Sequence, residues 1–233
     1  MKKTCLVFTL LLFSFFINCK NNEVKIDIIN YKNGKIAQER KKLSATNFYI
    51  KNYFKSGEIQ SEGEISGTKK IGWWTIYNQN KITDKLNFMV ISGKEYLNQK
   101  IKYDSKGNII NAESNYFTFK IPDTLKVGKT KIDITYNPNF SDKSEVFVCI
   151  GYAINKDFNN INNVRIDSFY IPNLKKGWFG LRYESSGKKT IRGFIYEKNI
   201  LLKDNLGIEK DSAIAIINDR TSYFEKEVYV KDK

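Results

Sequence analysis

A turn pattern that recurs at nearly constant spacing constrains the first half of this chain more than any other feature. Each copy has an aromatic residue, two or three polar residues, Gly or Asn, and then an apolar residue. The copies are YKNGKI (31–36), YFKSGEI (53–59), IYNQNKI (76–82) and KYDSKGNII (102–110), with their turn residues at Gly34, Gly57, Asn80 and Gly107. Glycine readily adopts the positive φ of a tight hairpin turn. A period of this size is typical of stacked units that cannot bury their own faces, so we predict a ribbon of antiparallel β-hairpins over residues 24–112.

Residues 53–82 form the clearest copy, YFKSGEIQSEGEISGTKKIGWWTIYNQNKI. This stretch resembles the bacterial variant of the MORN (membrane occupation and recognition nexus) repeat, which runs aromatic-aromatic-x-x-Gly, x-Glu-Gly and Gly-x-Trp-x-x-Tyr. The matching positions are Tyr53, Phe54, Gly57, Glu62, Gly63, Gly72, Trp73 or Trp74, and Tyr77. The resemblance implies a hairpin ribbon, and some bacterial members carry an antitoxin-like label. The repeat is a scaffold, so it implies no chemistry.

From Tyr116 onward the pattern changes to short alternating strands separated by turns about every ten residues. The seven candidates are YFTFKI, KTKIDITY, EVFVCIGY, NVRIDSFYI, GWFGLRYE, KTIRGFIYE and YFEKEVYV. Segment 121–129 leads into them, and segment 201–220 is expected to be a long excursion before the last strand. We predict an antiparallel β-sandwich over 116–233, immunoglobulin-like in layout only. The expected fold class is all-β throughout.

The amino terminus has the form of an export signal. Lys2 and Lys3 precede an apolar run of twelve residues from Leu6 to Ile17, which is too short to span a membrane. Cys19 follows directly, and no pair of small residues precedes it. The segment resembles a bacterial lipoprotein signal, which implies removal of residues 1–18, acylation of Cys19 and a short linker over 19–23. The second mature position is Lys20 and not the Asp that resembles an inner-membrane retention signal, so the resemblance implies the outer membrane, with the periplasmic or surface face left open.

Composition excludes several kinds of chemistry. The chain has no histidine, which removes Ser-His-Asp, Cys-His and H-E-x-x-H catalysis and any histidine-ligated zinc. Cys5 leaves with the signal, so Cys149 is the one thiol besides Cys19 and is expected to be a buried, inert strand residue. If Cys19 were not acylated, a Cys19–Cys149 disulfide would be permitted. We predict no metal and no cofactor.

The net charge of +14 falls to about +12 without Lys2 and Lys3. The lysines alternate with acids and turn residues, which favours a solvated surface over a nucleic-acid stripe. Nucleic acid is therefore not an expected partner. SSGKKT (185–190) departs from a phosphate-binding loop at two positions. Arg182 stands five residues before Gly187 where the loop has glycine, and Lys189 stands where it has Ser or Thr, so the segment is interpreted as a turn.

The candidate binding residues are the aromatic side chains Tyr53, Trp73, Trp74 and Tyr77. Adjacent Trp73 and Trp74 must point to opposite faces of a strand, so one packs inside and the other can stack on a sugar or peptide. Glu58, Glu62 and Glu64 share one parity, which keeps a carboxylate-based glycan hydrolase open as an alternative.

The leading hypothesis is a non-enzymatic cell-envelope lipoprotein that binds another protein or a glycan. A sandwich of this layout is typical of adhesion modules, and no constellation able to carry catalysis is visible. The second alternative, after the hydrolase, is a partner that neutralises a toxin, and it rests on the family label alone.

Overall fold

The computed structural model describes residues 26–140, 144–172, 175–204 and 213–232. The predicted signal peptide and Cys19 lie outside these residues. Within them the fold is all-β: a seven-stranded antiparallel sheet of hairpins is followed by a two-sheet sandwich. The predicted fold class is confirmed.

The first seven strands follow one another across a single sheet in chain order, each antiparallel to the next. We call this the hairpin sheet. Its strands are β1 (Ile26–Asn30), β2 (Ile36–Lys42), β3 (Asn47–Tyr53), β4 (Ile59–Ser66), β5 (Lys69–Asn78), β6 (Lys81–Ile91) and β7 (Lys94–Lys102).

The predicted turns are confirmed. Gly34, Gly57, Asn80 and Gly107 all have positive φ, at 83°, 98°, 59° and 85°. The first three connect β1 to β2, β3 to β4 and β5 to β6, while Gly107 lies in the turn after β7 that the Tyr103–Ile109 bridge closes. The spacing of 23 residues thus corresponds to two strands and two turns. The repeated turn pattern therefore marks the turns along one edge of the sheet, because every second turn lies at that edge.

One face of the hairpin sheet has a small apolar cluster. Ile50, Trp74 and Phe88 are buried, with Phe48, Ile65 and Leu86 packed around them. Gly63 makes this cluster possible, because a Cβ at that position would lie 2.5 Å from ring carbons of Trp74. The pairing of β4 with β5 is irregular at this point, and the indole covers the bare backbone of the glycine.

The remaining strands form the sandwich. They are β8 (Tyr116–Phe119), β9 (Thr124–Lys126), β10 (Gly128–Asn137), β11 (Glu145–Ile150), β12 (Asp167–Tyr170), β13 (Lys176–Tyr183), β14 (Gly187–Asp204) and β15 (Ala213–Lys231). One sheet has the order β13-β10-β8 and the other β12-β11-β14-β15-β9. All pairs are antiparallel except β9 with β15. All seven predicted strands are present.

The main core lies between these two sheets. Ile132 and Phe179 from the three-stranded sheet meet Val146, Val148 and Ile195 from the five-stranded sheet, and each of these side chains is completely buried. The predicted alternation in KTKIDITY is confirmed, since Lys131, Asp133 and Thr135 face solvent. Burial of apolar area, at roughly 25 cal/mol per Å², makes this the dominant stabilising cluster.

Segment 201–220 was expected to be an excursion, and this expectation is wrong for the described part. Residues 201–204 end β14 and residues 213–220 begin β15, so the two strands pair continuously from Gly187–Val230 to Asp204–Ala213. The isoleucines of AIAII (213–217) are consistent with the extension, because β-branched residues favour extended backbone. The lead-in segment 121–129 likewise contains a strand, β9, that the sequence pattern did not reveal.

The hairpin sheet meets the sandwich through β7 and β15. Asn98 is buried, donates through Nδ2 to the carbonyl of Tyr223 at 2.9 Å and accepts from the Tyr223 amide at 2.7 Å. The Tyr96 hydroxyl donates to the carbonyl of Thr221 at 2.5 Å. A short 3₁₀ turn, Asn111–Glu113, lies between β7 and β8, at the predicted boundary between the hairpin region and the sandwich. Whether residues 116–233 fold alone stays a prediction.

Candidate binding surface on the hairpin sheet

A carboxylate on the face of the hairpin sheet opposite Trp74 holds several side chains together. Glu62 on β4 lies across from Lys51 on β3 and Thr75 on β5. It accepts a hydrogen bond from the Tyr77 hydroxyl at Oε1, 2.6 Å away, and its Oε2 lies 3.8 Å from Lys51 Nζ. Tyr49, two residues before Lys51, lies close enough to Glu62 for that carboxylate to raise its pKa. We call Tyr49, Lys51, Glu62 and Tyr77 the Glu62 cluster.

The two tyrosines of this cluster are held in their neutral form. Burial is the largest cause and the nearby Glu62 carboxylate the next, and together they raise the pKa of Tyr49 to about 12. The same causes in the same order raise the pKa of Tyr77 to about 12. Both phenols are therefore hydrogen-bond donors at neutral pH rather than bases or nucleophiles.

An open groove of about 430 Å³ runs beside the Glu62 cluster. Its charged lining comes from Glu39, Lys41, Lys51, Glu62 and Glu64, together with Tyr49. Ile26 and Leu43 add apolar side chains that are 49% and 47% exposed. A surface that combines a ring, apolar side chains and both signs of charge can bind a sugar chain or an extended peptide.

Tyr53 joins this face through a second carboxylate. Burial raises the pKa of its hydroxyl, with a hydrogen bond to Glu39 as the next cause. Its backbone carbonyl accepts from the Tyr31 hydroxyl at 2.5 Å. The predicted residues Tyr53 and Tyr77 therefore both belong to a row of tyrosine–carboxylate contacts across β2 to β5.

The two adjacent tryptophans point to opposite faces, as predicted. Trp74 is 3% exposed, and its Nε1 donates to the carbonyl of Glu64 at 2.9 Å. Lys70 Nζ lies 5.2 Å from the centroid of the Trp74 ring. Trp73 is 43% exposed and pairs with Asn87 on β6. Trp74 is thus a packing residue and is not available to a ligand, whereas the Trp73 ring is.

The three predicted carboxylates are not equivalent. Glu62 and Glu64 lie on β4 and line the groove, but Glu58 lies in the turn before it and accepts from the Asn80 side chain at 3.4 Å. An irregularity in the pairing between Asn52 and Tyr53 separates Glu58 from the register of the strand. Sequence parity alone could not reveal that irregularity. Conversely, the alternation Tyr49–Lys51–Tyr53 in NFYIKNY was a visible signal for the missed Tyr49 and Lys51.

Two other sequence interpretations have structural outcomes. Cys149 is buried on β11 with its sulfur 3.3 Å from Ser168 Oγ, and burial raises its thiol pKa while that hydrogen bond partly lowers it. The predicted buried strand thiol is confirmed. Residues 185–190 include the turn between β13 and β14, where Gly187 has a φ of 109°.

In the part of the chain that the structure describes, no group of three or more Cys, Asp or Glu side chains is placed to hold a metal ion. No helix among those residues has the length and apolar character needed to cross a membrane. No protein-family model matches the chain, and neither a curated protein nor a solved structure matches it. The resemblances to MORN repeats and to immunoglobulin-like sandwiches therefore rest on the quoted residues and strand layout.

Proposed function

We propose that this chain is a non-enzymatic lipoprotein of the bacterial cell envelope. Acyl chains on Cys19 hold it at the outer membrane, and the face of the hairpin sheet that carries the Glu62 cluster binds a glycan or a segment of another protein. The anchor follows from the signal-like segment that ends at Cys19. Two or three acyl chains provide a durable anchor, because each buried methylene contributes about 0.8 kcal/mol.

The observation that carries the binding proposal is the Glu62 cluster beside an open groove. The Tyr77 hydroxyl donates to one oxygen of Glu62, Lys51 approaches the other, and Tyr49 lies beside the same carboxylate. Side chains that are fixed by one another lose little conformational freedom on binding, which favours recognition. Ile26 and Leu43 at the same groove supply apolar area for a ligand to cover.

Affinity capture from envelope extracts tests this proposal with the full-length chain as bait. Glu62→Gln keeps the shape of the side chain but removes the charge that the two hydroxyls and Lys51 share. The matched control is Glu227→Gln, an exposed carboxylate on β15 in the sandwich. We expect the wild type and Glu227→Gln to enrich the same component, and Glu62→Gln to lose most of it.

Treatment of the extract separates the two ligand classes. Loss of capture after proteinase digestion identifies a protein, and loss after periodate oxidation identifies a glycan. Equal capture by all three baits would refute the assignment of the ligand to the Glu62 cluster. Hydrolysis of peptidoglycan or of common polysaccharides in a zymogram would instead refute the non-enzymatic hypothesis and favour the alternative of a carboxylate-based glycan hydrolase.

A further inference from the structure

A tryptophan that the sequence hypotheses did not single out stands on the outside of the sandwich. Trp178 on β13 is 54% exposed, whereas its neighbour Phe179 is completely buried. Strand alternation explains the difference, since Phe179, Leu181 and Tyr183 face the core and Trp178 and Arg182 face solvent. An indole on the solvent side of a sheet leaves a large apolar ring face accessible.

The strand register places cations around this ring. Asp133 on β10 lies directly opposite Trp178, and Lys131 lies opposite Gly180. Gly180 has no side chain between the two, and Lys131 Nζ reaches to 5.5 Å from the centroid of the Trp178 ring. In the adjoining rows Thr135 is paired with Lys176 and Lys129 with Arg182. We call the outward side chains of β10 and β13 the Trp178 face.

The charge of the Trp178 face is strongly positive. Four basic side chains, Lys129, Lys131, Lys176 and Arg182, face outward with Asp133, and Glu184 just beyond β13 lies 3.2 Å from Arg182, which gives a net charge of +2. Lys131 lies 3.6 Å from Asp133, but the side chains of both remain more than 60% exposed, at 62% and 67%. Such weak surface pairing leaves the ammonium group free to exchange partners.

We propose that the Trp178 face binds an anionic polysaccharide. A sugar ring stacks on the indole, and carboxylate or sulfate groups along the polymer pair with Lys131, Lys176 and Lys129. Asp133 and Thr135 accept hydrogen bonds from sugar hydroxyls. This site is separate from the Glu62 cluster and from Cys19, so it goes beyond the function proposed above.

Two features favour a sugar polymer over an anionic membrane surface. The carboxylate of Asp133 lies opposite Trp178 and would face anionic headgroups, which is unfavourable, whereas it is a suitable acceptor for sugar hydroxyls. The face is a strand surface with one exposed indole, and a single ring gives little area for insertion. Charge complementarity then selects an acidic polymer over a neutral one.

Titration calorimetry with the full-length Cys19→Ser chain tests this inference, because that variant carries no acyl group whether or not the anchor is real. The probes are oligogalacturonate, a neutral galactan of the same length, polyglutamate and phosphatidylglycerol vesicles. The variants are Trp178→Ala and Lys131→Gln. Tyr229→Ala is the matched control, since that aromatic ring is also exposed, at 49%, but lies on β15 in the other sheet of the sandwich.

We expect oligogalacturonate to bind, with affinity reduced about tenfold by Trp178→Ala through loss of ring stacking, and unchanged by Tyr229→Ala. Lys131→Gln and added salt should each weaken binding. Equal binding of polyglutamate would reduce the site to a polyanion contact, and equal binding of neutral galactan would remove the role of the cations. Either result overturns the inference. So would a protein that binds the vesicles through Trp178 and does not bind oligogalacturonate. An equal loss with Tyr229→Ala would show that the sugar does not bind at the Trp178 face and would also overturn the inference.

Discussion

Single residues on the hairpin sheet combine a packing role with a polar one. Glu62 occupies one strand position, yet it accepts a hydrogen bond from Tyr77 and lies near both Lys51 and Tyr49. Because strands β3, β4 and β5 are adjacent, three side chains that are distant in sequence reach the same carboxylate. Removing any one partner leaves the others with an altered environment, so effects at these positions should not be additive.

The raised pKa values of Tyr49 and Tyr77 predict how stability depends on pH. Their pKa is about 12 in the folded protein and 10.0 in the unfolded reference, so the folded state holds more protons between these values. This contribution is fully present below about pH 10 and is lost as the pH rises toward 12. We expect a Tyr49→Phe/Tyr77→Phe protein to lose stability less steeply than the wild type across that interval.

Urea unfolding at a series of pH values between 9 and about 12 measures this difference. Lysines and other tyrosines titrate in both proteins, so the quantity to compare is the difference between the two slopes. Tyr170→Phe, at a tyrosine that is 54% exposed, is the control for loss of a hydroxyl. Parallel slopes for wild type and double variant would show that the folded protein does not hold these phenols neutral.

At the scale of elements, the β4–β5 hairpin depends on contact between a bare backbone and an indole. A Cβ on Gly63 would lie 2.5 Å from Trp74 ring carbons, and Trp74 is part of the buried cluster with Ile50 and Phe88. We expect Gly63→Ala to displace the ring and destabilise the protein by about 1–3 kcal/mol.

Thermal or urea unfolding of the full chain measures this effect. The matched control is Gly180→Ala, since its added Cβ would lie 3.6 Å from the Phe169 ring, an ordinary contact distance. Both glycines lie in strands, so the change in backbone entropy is similar. A Gly63→Ala protein as stable as the Gly180→Ala protein would refute the packing role of Gly63.

Elements differ in how far the sequence predicts them. Turn positions such as Gly57 and Asn80 are local signals, since positive φ restricts the residue types, and they were predicted correctly. Alternation predicts that Trp73 and Trp74 point to opposite faces of the strand. Which of the two rings is buried depends on Gly63 across the strand pair. The length of β14 and β15 was missed because polar residues between 203 and 212 interrupt the apolar pattern.

Contacts between segments that are distant in the chain could not be predicted from the sequence. Asn98 and Tyr223 are 125 positions apart, and nothing in their local patterns indicates that they pair. The Glu62 cluster was partly predictable because its members recur at strand spacing, whereas its hydrogen bonds depend on register. Trp178 was overlooked because GWFGLRYE indicated a strand without indicating which face is outside.

At the scale of the whole molecule, a polar junction connects two apolar cores. The sandwich cluster contains Ile132, Phe179 and Val230, and the hairpin sheet has its own cluster around Trp74. We expect residues 116–233 to fold alone because the larger core lies entirely within that segment. The fragment should be β-rich and melt cooperatively, but at a lower temperature than the full chain, since Tyr223 loses both hydrogen bonds to Asn98.

Circular dichroism of the expressed fragment during heating measures this directly. Asn98→Ala in the full chain is the companion variant, because it removes the same hydrogen bonds while keeping the hairpin sheet. An aggregated or disordered fragment would show that the hairpin sheet and the sandwich form one cooperative unit.

Whether the protein acts in the envelope at all depends on Cys19. Metabolic labelling with a fatty-acid analogue, applied to the wild type, Cys19→Ser and Cys149→Ser, tests this most directly. We predict label on the wild type and none on Cys19→Ser. Cys149→Ser should also carry label, because the Cys149 thiol is buried and is not the proposed acylation site. The labelled proteins should resist high salt and yield to detergent, because acyl chains outweigh surface charge that is screened within about 8 Å at physiological salt. A wild-type protein that takes up no label, or that high salt alone releases, would contradict the account.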